Sequence, residues 1–551
     1  MRRVLIALQT AAMLGASVYL AGCTGTTSAK VSTGGPPGGG GASSTTNVLT
    51  YHYDNLRTGQ NLNESILLPA NVNSKSFGKL GAFIVDGLVD AQPLYVSGVA
   101  ISGTATKNIL YVATEHDSVY AFDADSVSGN TSSFLWKVSV LGGGETPSDN
   151  RGCTQVTPEI GITSTPVIDT TRGPHGAIYV VAMSKNASGN YFQRLHALDL
   201  ATGAELFGGP RTVQAAYPGA GDNSTNGTVV FDAKQYLERP GLLRVGGTIV
   251  TTWGSHCDAR PYTSWVISYD ASTLAQRSVL NLVPNGSEGG IWMSGTAPAA
   301  DASGNVYAIA GNGDFDTALS AGGLPANGDC GNCFVKISSG PPMSLLDYFT
   351  PSNTVSASNA DNDFGSGGPL LLPDLVDASG NTRHLAVGAG KDANIYVLDR
   401  DNMGKFSATA NNIYQEIGGQ LGGSEFGKPS YFNNTVYFGA VADSLKAFPI
   451  NGGKLAATPS SQTTATFAYP GTTPTISANG ATNGVVWAVQ NGATAILHAY
   501  DAANLTNELY NSNQAGSRDQ FGGNKFITPM VANGKVFVGT PNSVAVFGPL
   551  P

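Results

Sequence analysis

The chain has 551 residues, a net charge of -9, 71 glycines and only 12% charged residues. The charged share is about half of the usual one, so Asn, Ser, Thr and Gly supply the polarity, which suits short strands and many turns. The negative charge offers no basic stripe for nucleic acid, and beyond the N-terminus no run of about 20 apolar residues could span a bilayer.

The N-terminus has the order of charge, apolar run and small residues that is typical of an export signal. Its apolar run is followed by LAGC, which ends at Cys23 and resembles the bacterial lipobox, in which the cysteine is lipidated after cleavage. We therefore expect a signal peptide over 1–22, a lipid on Cys23 and an exported protein anchored to the cell envelope, in the periplasm or at the cell surface. A plain secretory signal is the alternative.

Residues 23–47 are rich in Gly, Ser and Thr and lack apolar side chains to bury, so they are predicted to form a flexible tether. The folded part is predicted to cover 48–551.

A proline after small or polar residues recurs along the folded part and is followed each time by two short β-rich runs. The spacings run from 45 to 74 residues, and the series is Pro93, Pro166, Pro240, Pro298, Pro369, Pro429, Pro474 and Pro529. Each unit can hold a four-stranded antiparallel blade, and proline suits the start of its first strand. The sequence predicts an all-β, eight-bladed β-propeller. The last unit lacks a fourth strand, which residues 79–86 would supply, closing the ring and removing open sheet edges.

Four cysteines remain besides Cys23, and an even number outside the cytoplasm favours disulfides, with three pairings open. We favour Cys153 with Cys257 and Cys330 with Cys333. A metal site that uses the Cys330-x-x-Cys333 pair is the alternative.

The repeat and the segment at 51–96 resemble the quinoprotein-like propellers, a family that includes pyrroloquinoline quinone dehydrogenases and non-enzymatic assembly lipoproteins. The similarity extends over residues 50–550. In the dehydrogenases the quinone lies on a tryptophan and binds a calcium ion, which takes ligands from a Glu, an Asn and an Asp that is also the catalytic base.

The resemblance assigns these roles to particular residues here. Trp292, in a Gly-Gly-x-Trp pattern, corresponds to the quinone floor, and Asn312, in Gly-Asn-Gly, to the amide ligand of calcium. Asp363 corresponds to the catalytic base and metal ligand, Lys391 to the cation that contacts the quinone, and Asp90 to an acidic residue near the cofactor.

The sequence also departs from the dehydrogenases. Their adjacent cysteines form a disulfide over the quinone, but here Cys153 is followed by Thr154. An arginine of the family is replaced by Glu159, whose charge would repel a tricarboxylate quinone. The metal-binding glutamate falls near Asp258, one residue out of register, and no CxxCH haem motif is present.

Two functional hypotheses follow. One is an oxidoreductase of alcohols or sugars that uses pyrroloquinoline quinone and calcium, in which a carboxylate beside the divalent cation stays ionised and takes an alcohol proton. The other is a non-catalytic propeller that acts as a binding or scaffold lipoprotein. The expected partners are the membrane, through the lipid on Cys23, and either a small alcohol or sugar or an envelope protein.

Overall fold

Alternating apolar residues and closely spaced turns fold the chain into successive antiparallel meanders, as the sequence predicts. The computed structural model describes residues 46–101 and 105–551. The predicted signal peptide, Cys23 and nearly all of the predicted tether lie outside the described residues. Among the residues that are described, no helix is long and apolar enough to cross a membrane.

Within the described residues, eight sheets each contain a meander of four antiparallel strands. In seven of them the four strands follow one another along the chain, and in all eight the first strand starts one to three residues after one of the eight prolines. The first four meanders have the strands Leu94–Val99, Lys107–Ala113, Ser118–Asp123 and Trp136–Ser139; Val167–Asp169, Ala177–Asn186, Tyr191–Asp199 and Arg211–Thr212; Leu243–Val245, Thr248–Ser255, Trp265–Asp270 and Gln276–Asn281; and Ala299–Ala300, Val306–Ile309, Phe334–Ile337 and Leu345–Phe349. The next three have Leu370–Leu371, Leu385–Ala389, Ile395–Asp399 and Gln415–Ile417; Ser430–Phe432, Thr435–Phe438, Asp443–Asn451 and Ser461–Phe467; and Thr475–Asn479, Thr482–Gln490, Thr494–Asp501 and Glu508–Asn511. The eighth has Met530–Ala532, Lys535–Gly539, Ser543–Pro549 and the N-terminal strand Phe77–Ile84.

The last meander takes its fourth strand from the start of the chain. Phe77–Ile84 runs antiparallel to Ser543–Pro549, with Phe77 opposite Pro549 and Ile84 opposite Ser543. This is the pairing that the sequence predicts for residues 79–86, and it covers an edge that the last strand would otherwise expose.

The remaining elements are short. The additional strands are Gln60–Asn61, Gly129–Thr131, Glu145–Asp149, Glu159–Ile160, Ala216–Pro218, Ser224–Thr225, Thr228–Val230, Tyr236–Leu237, Leu375–Val376, Thr382–Arg383, Lys454–Leu455 and Phe521–Gly522. The helices are the α-helix Thr354–Asn359 and the 3-10 helices Met293–Gly295, Phe364–Ser366 and Ser512–Asp519. The protein is therefore almost entirely β, with the repeated meanders of a propeller.

Aromatic side chains fill the space between neighbouring sheets. Trp487 of the seventh meander is fully buried and lies 5.3 Å from the ring of Phe77 in the eighth. Phe77 in turn stacks at 6.4 Å on Phe547 of its own sheet. Since burying such a side chain contributes about 1.5–3 kcal/mol, these contacts hold adjacent meanders together.

A segment at the N-terminus, residues 48–61, touches the first strand of every meander; we call it the inner segment. It forms a hydrogen bond with the residue two positions after each repeat proline. These residues are Tyr95, Ile168, Leu242, Ala300, Leu371, Tyr431, Ile476 and Val531. Six of these eight residues form their hydrogen bond with the main chain of the inner segment. Side chains of Arg57 and Tyr53 make the other two, to Leu242 and Val531.

Arg57 is the centre of the inner segment. Its guanidinium is fully buried and donates five hydrogen bonds, to the carbonyls of Pro298, Tyr51, Asp54 and Leu242 and to the Thr50 hydroxyl. A buried charge needs such partners, so this arginine links the inner segment to the third and fourth meanders.

Candidate functional site

A cavity of about 370 Å³ lies among the loops that precede the first strands. Its wall is formed by Cys153, Gln155, Val156, Ile160, Leu237, Arg239, Ser255, His256, Cys257, Asp258, Gly290, Trp292, Asp361, Lys391, Phe426, Tyr469 and Phe526. Most of these residues precede the repeat prolines, whereas the inner segment contacts residues that follow them. The cavity and the inner segment therefore lie toward opposite ends of the first strands. The volume is in the range that accommodates a small organic ligand.

Four aromatic rings from four repeats form a continuous part of this wall, which we call the aromatic arc. Trp292 lies 6.0 Å from Phe426, Phe426 lies 5.4 Å from Tyr469, and Tyr469 lies 5.9 Å from Phe526, measured between ring centroids. The rings are tilted or edge-on to each other, the arrangement that aromatic pairs prefer. The arc presents an apolar surface suited to a planar ligand.

A cation stands at each end of the aromatic arc. The ammonium of Lys391 lies 5.5 Å from the centroid of the Trp292 ring, and the guanidinium of Arg239 lies 4.8 Å from that of Phe526. Both distances fall within cation–π range. The wall thus combines aromatic surface with positive charge at both ends.

A disulfide forms another part of the wall. Cys153 is joined to Cys257 across 104 residues, so it connects loops of two different repeats. Cys330 is joined to Cys333, and both are fully buried. These are the pairings that the sequence favours. Although the adjacent-cysteine disulfide of the resembling dehydrogenases is missing, a disulfide of different connectivity lines the cavity.

Asp363 lies behind the arc, fully buried. One carboxylate oxygen accepts a hydrogen bond from the Trp292 indole nitrogen at 3.3 Å, and the other lies 2.7 Å from the Lys391 ammonium. Burial raises the pKa of Asp363 to about 6, and Lys391 opposes this shift. Gly311 makes room for the contact, because a Cβ there would lie 2.7 Å from the indole nitrogen.

Asp361 and Asn312 lie beside Lys391 and Asp363, and we call this group of residues the corner. Lys391 also pairs with Asp361, whose carboxylate accepts a hydrogen bond of 2.6 Å from the Asn312 amide nitrogen. Asn312 is 8% exposed, and its amide oxygen is buried without a hydrogen-bond partner among the described residues. An unpartnered oxygen of this kind is available to a cation.

The two other predicted site residues are placed differently. Asp258 belongs to the cavity wall and accepts a hydrogen bond of 2.7 Å from the Tyr262 hydroxyl. Asp90 is not part of the wall; it accepts a hydrogen bond of 2.6 Å from Asn524 and faces the buried Glu115. The structure thus brings Trp292, Asn312, Asp363 and Lys391 together, with Asp258 near them and Asp90 apart.

The charges of this corner suit a divalent cation, but the donor set is small. Asp258 and Asp361 both raise the pKa of Asp363, so three carboxylates stand against the single ammonium of Lys391. Within 46–101 and 105–551, however, no three His, Cys, Asp or Glu side chains converge on one metal position. A hard, all-oxygen ligand set at this position would have to include the Asn312 oxygen.

Sequence reasoning missed much of the wall. Arg239, Phe426 and Phe526 stand one to three residues before a repeat proline, and Tyr469 stands five residues before one. That shared position is a signal that could have grouped them. His256 also lies in the wall, where burial lowers its pKa to about 4 and keeps the imidazole neutral near pH 7.

No protein-family model matches the sequence, and no curated protein matches it significantly. Solved structures, in contrast, do match it. The quinohemoprotein alcohol dehydrogenase from Comamonas testosteroni aligns with a TM-score of 0.58 and 16% identity, over 92% of this chain and 81% of that one. The quinohemoprotein alcohol dehydrogenase ADHIIG from Pseudomonas putida HK5 aligns with a TM-score of 0.57 and 13% identity, over 91% and 80%. The protein therefore shares the β-propeller fold of the quinohemoprotein alcohol dehydrogenases.

Proposed function

We propose that the protein is an oxidoreductase of an alcohol or a sugar that uses pyrroloquinoline quinone and calcium. The observation that carries the proposal is the Trp292 indole on the cavity wall. It donates a hydrogen bond to the buried carboxylate of Asp363, and the Lys391 ammonium lies over its ring. A planar surface and a cation in the cavity wall, with a carboxylate directly behind them, are the parts that such a reaction needs.

We also propose that the eight meanders form one ring of eight blades, closed by Phe77–Ile84. The support is that one inner segment bonds the equivalent residue of all eight first strands. A segment of 14 residues is short for passing along eight sheets set side by side in a row, and this favours an arrangement in which the strands surround it.

The cavity fits the quinone by shape and charge. Trp292 offers a flat apolar face to a tricyclic ring system, and Lys391 offers positive charge to its acidic or carbonyl oxygens. Asn312, Asp363 and Asp258 would hold calcium through oxygen atoms. When bound, the quinone supplies the acceptor for the electrons of the substrate, and calcium polarises its oxygens.

Asp363 is the proposed proton acceptor. Its pKa of about 6 leaves it mainly ionised at neutral pH and still basic enough to take a proton from an alcohol hydroxyl. The ammonium of Lys391, at 2.7 Å, keeps this carboxylate oriented and stabilises negative charge that develops beside it.

For location, we propose export and a lipid anchor on Cys23 that holds the protein to the cell envelope. The support is the order of residues in 1–23. Mass spectrometry of the mature N-terminus tests this, because a Cys23→Ala variant should lose both the lipid and the membrane association.

A non-catalytic binding or scaffold role is the second candidate. It is favoured by the ion pairs of Lys391 with Asp361 and Asp363, which give both carboxylates a counter-charge without a metal. It is also favoured by Glu159, which stands where the dehydrogenases have a positive charge.

Quinone binding decides between the two. Purified full-length protein would be dialysed against pyrroloquinoline quinone with and without calcium, and dye-linked oxidation of alcohols and sugars would be followed. We expect saturable, calcium-dependent binding that is lost in Trp292→Ala and kept in Phe134→Ala, an exposed aromatic outside the wall. Absence of saturable binding would refute the enzyme proposal and favour the scaffold.

A further inference from the structure

Two arginines of this protein are buried to a similar extent but differ in their partners. Arg57 is 0% exposed and donates five hydrogen bonds, whereas Arg239 is 7% exposed and its guanidinium makes no hydrogen bond or ion pair with any described residue. An unpaired buried charge is costly, so structural arginines are normally satisfied as Arg57 is. Arg239 needs another explanation.

The surroundings of Arg239 indicate what it lacks. It lies in the cavity wall at one end of the aromatic arc, with its guanidinium over Phe526. Asp90 and Glu115 attract it electrostatically, but within the described part of the chain neither forms an ion pair with it; they face each other, and burial together with this proximity raises the pKa of Glu115 well above its usual range.

We propose that Arg239 binds a carboxylate of a planar aromatic acid that lies along the aromatic arc. A guanidinium presents a rigid fork of N–H donors that matches a carboxylate in two parallel hydrogen bonds. The four rings between Arg239 and Lys391 supply the apolar contact for the ring system of the ligand, and Lys391 supplies positive charge at the far end.

This inference deepens the proposed function, because pyrroloquinoline quinone is a planar aromatic acid. It does not depend on redox chemistry, and it assigns to Arg239 a role that the family resemblance gives to no residue of its repeat. Any planar aromatic dicarboxylate of suitable size should use the same contact.

The test uses the full-length protein and three probes: pyridine-2,6-dicarboxylate, its uncharged dimethyl ester and pyrroloquinoline quinone. Affinities are measured by titration calorimetry for the wild type, Arg239→Met and Arg211→Met, the last being an exposed arginine outside the wall. We expect the dicarboxylate to bind the wild type and Arg211→Met alike, and the ester and the Arg239→Met variant each to weaken binding about tenfold or more.

The outcomes separate this inference from the proposed function. If the dicarboxylate binds through Arg239 but the quinone does not bind, the inference stands and the enzyme proposal fails. If the quinone binds the wild type and Arg239→Met equally, the inference is overturned while the enzyme proposal survives. Failure of both acids to bind the wild type, or equal binding of acid and ester, also overturns it, even if Arg239→Met does not fold.

Discussion

The ammonium of Lys391 lies 2.7 Å from a carboxylate oxygen of Asp363, which is completely shielded from solvent. The same ammonium lies over the Trp292 ring. One lysine therefore both compensates a buried charge and forms part of the cavity wall, so its removal affects stability and binding together.

Lys391→Met should lower the free energy of unfolding by about 3–5 kcal/mol, because it leaves Asp363 buried and uncompensated. Adding Asp363→Asn should recover most of that loss, since the unpaired charge disappears. Urea unfolding of the two single variants and the double variant measures the coupling. Lys535→Met, which breaks a more exposed pair with Asp125, is the control and should cost less than about 1 kcal/mol. A coupling near zero would contradict a strong buried pair.

Glu425 should make stability depend on pH. It is fully buried, one of its carboxylate oxygens has no hydrogen-bond partner in the part of the chain that the structure describes, and burial raises its pKa from 4.5 to about 8. A raised pKa means that the folded state retains the proton, so the stability that this provides is present below pH 4.5 and is lost as pH rises to about 8. Between these values the wild type should lose on the order of 5 kcal/mol relative to Glu425→Gln, and the difference should level off above pH 8. A pH-independent difference between the two proteins would refute this.

The disulfide between Cys153 and Cys257 should contribute more to stability than the one between Cys330 and Cys333. The first closes a loop with a sequence separation of 104 and the second one of 3, and chain entropy gives about 4–5 and about 2 kcal/mol respectively. Denaturant unfolding of the two paired Cys→Ser variants compares them. The reverse order would show that packing around the buried Cys330 and Cys333 outweighs chain entropy.

Arg57→Met and Arg239→Met should differ sharply in how much they change the free energy of unfolding. The first removes five buried hydrogen bonds, so we expect a loss of more than about 3 kcal/mol. The second removes a guanidinium that lies over Phe526 but makes no hydrogen bond or ion pair with any described residue, so we expect a change within about 1 kcal/mol in the absence of ligand, and even a gain. Thermal unfolding of the ligand-free variants measures both, and equal losses would contradict the contrast between the two arginines.

The repeat, its strands and the N-terminal strand of the last sheet could be predicted from the sequence, because a strand proline and period-two alternation are local signals. Trp292, Asn312, Asp363 and Lys391 could be grouped through the family resemblance. Arg239 and Phe526 share a position just before a repeat proline, and that signal could have grouped them, but the position alone does not show that several repeats bring them to one cavity. The inner segment was also missed: its bonds depend on main-chain positions two residues after each proline, and hydrophobic pattern carries no information about them.

The contacts of the inner segment have a consequence for how the chain folds. Its residues are synthesised before all eight repeats, yet their partners extend from Tyr95 to Val531, and the strand Phe77–Ile84 can pair only after Ser543–Pro549 has been made. Contacts so distant along the chain make folding slow, because chain entropy is lost when the loops close and the stabilising hydrogen bonds form only afterwards. We therefore expect the inner segment, although it is synthesised before the repeats, to be among the last parts of the fold to reach its native position.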